Sequence, residues 1–117
     1  MKKIVINSNI LWTITQFRKD LIIELKKRYK VICIADHDDF SGNSLNSIKS
    51  LGVEYIRLKV NRKGVNPFAD FLYFIELLKL YKKIKPDLII HYTIKPNIYG
   101  SIAAKVLKIN SFAVVSG

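Results

Sequence analysis

Residues 91–97 read His-Tyr-Thr-Ile-Lys-Pro-Asn, a polar junction between an apolar run and a new helical pattern. An imidazole exchanges a proton near neutral pH and can donate from either ring nitrogen. His91 therefore suits a hydrogen bond to a sugar hydroxyl or a phosphate oxygen, and it is the candidate for contact with a reacting group. The plainer alternative is a half-buried histidine satisfied by a backbone carbonyl. Lys95 stands beside the expected start of a helix at Pro96, where free N–H groups and the macrodipole favour a phosphate or carboxylate; otherwise it is a solvated side chain. Asn97 is the natural cap for that helix.

Other stretches carry weaker chemistry. Arg62 and Lys63 form a basic turn in "NRKG" that could hold an anionic head group through charge-assisted hydrogen bonds. "DHDD" at 36–39 contains a D-x-D of the kind that binds magnesium or manganese. No second carboxylate cluster accompanies it, so a solvated loop is the preferred reading and neither metal nor cofactor is expected. The segment "NSNILWTITQ" has no glycine, whereas a dinucleotide fold needs G-x-G-x-x-G at that place to let the backbone approach a pyrophosphate. A Walker lysine motif is also missing.

The elements that must position these residues follow from periodicity. Short β-branched runs at 3–7, 31–35, 54–58, 87–91 and 112–115 predict strands, mostly apolar throughout as strands covered on both faces should be. Helical stretches lie between them at 14–29, 41–52, 67–85 and 96–109. In the first, Phe17, Leu21, Leu25 and Tyr29 fall at helical spacing. The second ends at Gly52, a C-cap candidate. The third opens with Pro67 and stops before Pro86. In the fourth, Gly100, Ala103 and Ala104 permit close packing on a sheet. The result is a β-α-β-α-β-α-β-α-β order, hence an α/β doubly wound parallel five-stranded sheet with strand order 3-2-1-4-5. Ligands of such sheets bind beyond the carboxyl ends of the strands where the winding reverses, here between the first and fourth strands.

Length and composition agree. A chain of 117 residues, half of them hydrophobic, fits one packed domain. Its single cysteine, Cys33, excludes a disulfide framework and suits a reducing cytoplasm. The net charge of +11 favours anionic partners. No run approaches the roughly 18–20 apolar residues that span a bilayer, so membrane association is expected to be peripheral. On the long helix, Phe71, Tyr73, Phe74, Leu77, Leu78, Leu80, Tyr81 and Ile84 make a broad core face. Phe68, Leu72 and Ile75 form a second apolar stripe beside Lys79, Lys82 and Lys83, suited to an anionic membrane or a protein partner, or else covered by a neighbouring loop. Nucleic acid is the least favoured partner, because most aromatics fall on the core face.

Three stretches together resemble a known family: "QFRKDLIIELKKRYKVICIA", "GVEYIRLKVNRKGVNPF" and, most specifically, "DLIIHYTIKPNIYGSIAAKVLKI". The chain is similar over essentially its whole length to the Rossmann-like N-terminal domain of bacterial family-4-type retaining GT-B glycosyltransferases, which build capsule, O-antigen and lipid-linked glycans. The resemblance implies one domain over residues 1–117 that receives the acceptor, with the donor-binding C-terminal domain absent and the chain alone inactive. It implies that His91, Thr93, Lys95 and Asn97 line a cleft, that Arg18 sits near its floor, and that Asn9 contacts substrate, although the glycine-free first loop departs from the family where relatives approach the donor diphosphate. The substrates implied are a nucleotide sugar and a glycan or polyprenyl-diphosphate-linked acceptor, at the inner face of the cell membrane, with no cofactor. Two rivals stand beside this reading: an interaction module that needs a separate donor-binding partner chain, and a flavodoxin-like domain for a small phosphorylated ligand.

Overall fold

Apolar side chains alternate sides along the first strand, and the two halves of that alternation become the two cores of the molecule. The computed structural model describes residues 1–37, 42–60 and 66–114. Its elements are β1 (Lys3–Ile10), α1 (Leu11–Phe17), α2 (Lys19–Leu25), β2 (Lys30–Asp36), α3 (Gly42–Leu51), β3 (Glu54–Arg57), α4 (Pro67–Ile84), β4 (Leu88–Tyr92), a π-helical turn (Pro96–Gly100), α5 (Ser101–Val106) and β5 (Ser111–Val114). The strands form one parallel sheet in the order β3-β2-β1-β4-β5. The doubly wound topology expected from the element order is the one found.

Ile4 and Ile6 of β1, Val31 and Cys33 of β2, and Ile90 and Tyr92 of β4 face one side, where Ile14, Ile22, Ile48 and Leu51 of α1 to α3 cover them. Val5, Ile32, Ile34 and Ile89 face the other, under Tyr73, Leu77 and Tyr81 of α4 and Ala103 and Ala104 of α5. Strands buried on both faces need this period-two division, which also fixes where polar residues at the strand ends point. Asn7 and His91 continue the second set.

Local signals explain the helix ends. The Asn66 side chain accepts a hydrogen bond from the Ala69 N–H at 3.2 Å, with Pro67 opening α4. Lys85 closes that helix in the left-handed region (φ 54°), its N–H bonded to the Tyr81 carbonyl. Gly52, at φ 71°, ends α3 as expected of a glycine C-cap.

Three expectations need correction. The helix expected over 14–29 starts earlier and is broken: β1 runs on to Ile10, α1 begins at Leu11, and Arg18 (φ −122°, ψ 11°) separates α1 from α2. The break turns the Arg18 guanidinium toward the sheet and leaves Phe17, placed on the core face by simple periodicity, 62% exposed. Phe71 is likewise 59% exposed. The buried seam of α4 is narrow and runs through Asp70, Tyr73, Leu77, Tyr81 and Ile84, with Asp70 turned inward to meet Lys95 and Tyr99. The helix after β4 begins before Pro96, with Ile94 and Lys95 already helical.

Candidate functional site

The parallel register sets Asn7 of β1 directly beside His91 of β4, at the point where the sheet reverses its winding. Both side chains are fully buried. Asn7 Nδ2 donates to the Tyr81 hydroxyl at 2.9 Å and lies 3.3 Å from His91 Nδ1, while Tyr73 Oη donates to Asn7 Oδ1 at 3.5 Å. An amide nitrogen only donates, so His91 Nδ1 accepts and the ring proton resides on Nε2. Burial holds the imidazole neutral, its pKa lowered to about 4. Nε2 has no hydrogen-bond partner. His91 thus presents one fixed, uncharged donor.

Gly100 makes this arrangement possible. A β-carbon there would stand 2.6 Å from both Asn7 Nδ2 and His91 Nδ1, closer than real side-chain carbons come. The π-helical turn brings the backbone onto the ring, consistent with the tendency of such turns to sit at functional places.

Above this layer the trailing segments of β1 and β4 are tied together. Thr93 adopts φ 71°, rare for a β-branched residue. Its hydroxyl accepts from the Asn9 N–H at 3.2 Å and donates to the Tyr92 carbonyl, while its carbonyl accepts the Asn97 N–H. Arg18 stacks on the Tyr92 ring, its guanidinium carbon 4.4 Å from the ring centroid. Burial raises the Tyr92 pKa, and the Arg18 charge opposes that rise.

The remaining sequence candidates fall as follows. Lys95 does not face a free anion site: its ammonium pairs with Asp70 Oδ1 at 2.7 Å, and Tyr99 donates to the other carboxylate oxygen at 3.3 Å. Asn97 is not a cap; its Nδ2 donates to the Val114 carbonyl at 3.1 Å, fastening the π-helical turn to β5. Asp36 of the acidic loop accepts from the His37 and Val60 N–H groups and from Arg57 Nε, which gives it a structural role at the end of β2. Asp38, Asp39, Arg62 and Lys63 lie outside the described residues. The α4 stripe stands apart from the crevice network, with Phe68 73% and Leu72 49% exposed and Ile75 half-buried among the lysines Lys79, Lys82 and Lys83.

Among the described residues, five buried side-chain atoms lack a hydrogen-bond partner: Ser8 Oγ, Asn9 Oδ1, Arg18 Nε, His91 Nε2 and Asn97 Oδ1. Ser8, Asn9 and His91 lie at the carboxyl ends of β1 and β4, Asn97 in the turn after β4, and Arg18 between α1 and α2. Buried polar groups are nearly always paired, and leaving one unpaired costs about 1–3 kcal/mol. Most of this unmet hydrogen-bonding capacity therefore lies at the carboxyl ends of β1 and β4.

Sequence reasoning passed over Asn7, Ser8, Asp70, Tyr81, Gly100 as a contact of His91, and Tyr92. Asn7 carried a usable signal, since it interrupts an apolar alternation on a face shared with His91. Asp70 carried none beyond its place in a first helical turn.

The sheet order and the crevice at the β1/β4 reversal define a doubly wound, Rossmann-like α/β domain with polar strand ends. The chain belongs to the glycosyl transferase 4-like family, whose sequence model matches residues 3–116. It is 33% identical over 107 residues to the N,N'-diacetylbacillosaminyl-diphospho-undecaprenol alpha-1,3-N-acetylgalactosaminyltransferase of Campylobacter jejuni, an alignment covering 90% of this chain and 27% of that protein. Among solved structures, Acinetobacter baumannii MurG superposes with a TM-score of 0.72 at 15% identity, over 100% of this chain and 37% of that one. The UDP-GlcNAc 2-epimerase of Neisseria meningitidis gives 0.70 at 16% identity, over 100% and 32%. The chain therefore spans about a quarter of its curated relative and about a third of these structures.

Proposed function

We propose that the chain is the acceptor-side half of a glycosyltransferase moving a hexosyl group from a nucleotide sugar to a polyprenyl-diphosphate-linked or surface-glycan acceptor. The observation that carries this reading is that, among the described residues, Ser8, Asn9, His91 and Asn97 supply four of the five unpartnered buried polar atoms, from the carboxyl ends of β1 and β4 and the turn after β4. Family membership supports the reaction class, and the Campylobacter relative's name supports the lipid-linked acceptor.

In the reaction, the bond from the donor's anomeric carbon to its diphosphate oxygen breaks, a bond to an acceptor hydroxyl oxygen forms, and the hydroxyl proton passes to the diphosphate oxygen of the departing nucleoside diphosphate. His91 serves this as a hydrogen-bond donor to a sugar oxygen. It is unsuited to be a general base, because its pKa is lowered to about 4 and its Nδ1 is already engaged by Asn7. Ser8, Asn9 and Thr93 orient the substrate from one wall and Arg18 from the other, so that catalysis is chiefly positioning and electrostatic stabilisation. Asn97 Oδ1 adds an acceptor on the β4 side. Arg62 and Lys63, which lie in the sequence between β3 and α4, attract the acceptor's diphosphate. Lys95 acts through its pair with Asp70 by holding the segment after β4 against α4. Donor binding falls to polypeptide beyond these residues, whether a further domain or a separate partner chain. No helix among the described residues is long and apolar enough to cross a membrane. Phe68 and Leu72, with Ile75 and the lysines of α4, would rest the domain on the cytoplasmic face of an anionic membrane.

Equilibrium dialysis tests the acceptor-side assignment. The 117-residue chain should retain a farnesyl-diphosphate-linked N-acetylhexosamine in preference to UDP-N-acetylgalactosamine. Retention of the nucleotide sugar alone would overturn it.

A further inference from the structure

We propose that Trp12, braced by Phe17, is a stacking platform for a pyranose ring of the acceptor; the inference rests on the acceptor-side reading above. Trp12 lies in the first turn of α1, three residues beyond Asn9, and is 48% exposed. Its indole meets the Phe17 ring edge to face, with centroids 5.5 Å apart and planes at 90°. Such a pair holds both rings in one orientation. Two large aromatics kept rigid in water on a seven-residue helix contribute nothing to either core: the buried residues of α1 are Leu11, Ile14 and Thr15. The Thr15 hydroxyl also donates to the Trp12 carbonyl at 3.2 Å, which steadies the turn that carries the indole.

The residues that flank the pair in sequence decide the ligand. Ser8 Oγ and Asn9 Oδ1 precede Trp12 by a few residues and lack partners, and Arg18, next to Phe17, has an unpartnered buried Nε and stacks on Tyr92. A pyranose has the matching form, with a face of C–H bonds edged by hydroxyls. It sets its apolar face on the indole while its hydroxyls are met by the polar side chains near Trp12 in sequence, Ser8 and Asn9 among them. An isoprene chain would cover the rings but bring no hydroxyl to the polar side chains of the neighbouring segment. The platform is therefore assigned to sugar and not to the lipid tail.

Trp12 is the only tryptophan, so tryptophan emission reports on it alone. The chain is titrated with a farnesyl-diphosphate-linked N-acetylhexosamine and, in parallel, with farnesyl diphosphate, while equilibrium dialysis measures binding independently. The proposal expects a blue shift with quenching for the sugar-bearing compound only. It also expects a roughly fivefold to tenfold loss of affinity in Trp12→Leu, largely restored in Trp12→Phe. Binding by dialysis with silent emission and an unchanged affinity in Trp12→Leu would overturn the platform and leave the acceptor-side reading intact. An equal spectral response to farnesyl diphosphate would overturn the sugar assignment. No retention of the sugar-bearing compound would overturn both. Circular dichroism of Trp12→Leu, expected to match the parent because the residue is outside both cores, separates lost binding from lost folding.

Discussion

Asn7 Nδ2 stands 3.3 Å from His91 Nδ1 across the β1/β4 ladder, and this contact fixes the proton of a fully buried imidazole on its far nitrogen. Burial between the neighbouring strands lowers its pKa to about 4, so a residue that usually titrates near neutrality is a neutral donor at neutral pH.

Stability should consequently depend on acid in a defined window. The folded pKa of His91 is about 4 against an ordinary value of 6.5. Between these values the unfolded chain binds more protons, so stability rises with pH across the window and is lost as pH falls from 6.5 toward 4. The full effect is about 3 kcal/mol. Urea unfolding of wild type and His91→Gln at several pH values checks this: the difference between the two should grow in favour of the variant as pH drops.

Gly100→Ala should destabilise strongly, by roughly 2–3 kcal/mol, since the new carbon would overlap Asn7 and His91 at 2.6 Å. Ser101→Ala, one residue on and partly exposed, should change urea stability by less than about 0.5 kcal/mol.

Asp70→Asn should cost about 2–3 kcal/mol by leaving the Lys95 ammonium without its 2.7 Å partner in a largely buried place. Pairing it with Lys95→Met should recover most of that loss, because both charges then leave together. A double-mutant cycle by thermal or urea unfolding measures the coupling.

Serine at Phe68, Phe71 and Leu72 should lower sedimentation with vesicles rich in phosphatidylglycerol at least severalfold while leaving folding intact, since all three are exposed. Unchanged sedimentation would remove membrane contact through α4.

Most of the architecture was legible because fully covered strands announce themselves. Runs such as "VICIA" admit few other readings, and their alternation with helical stretches makes a doubly wound parallel sheet, whose order β3-β2-β1-β4-β5 places the crevice between β1 and β4. Helix faces were less legible. The wheel of α4 gave a broad apolar face, yet it could not tell Phe71 from Asp70, since the choice is made by Lys95 and Tyr99, distant in sequence. The same limit applies at Arg18, where the helix break answers to the Tyr92 ring. His91 was visible as a polar residue at a strand end, but its tautomer depends on Asn7, and that pairing exists only once the register is set. Lys95 and Asn97 looked like anion and cap residues from local sequence; the ion pair with Asp70 and the bond to Val114 that engage them are tertiary.

The most direct test of the central claim is nitrogen NMR of the imidazole in the intact chain, titrated with a farnesyl-diphosphate-linked N-acetylhexosamine. The account predicts a single Nε2-protonated tautomer in the free chain, and on binding a shift of the His91 Nε2 resonance together with the amides of Ser8, Asn9 and Thr93. A bound complex in which those signals stay still while others move would contradict it.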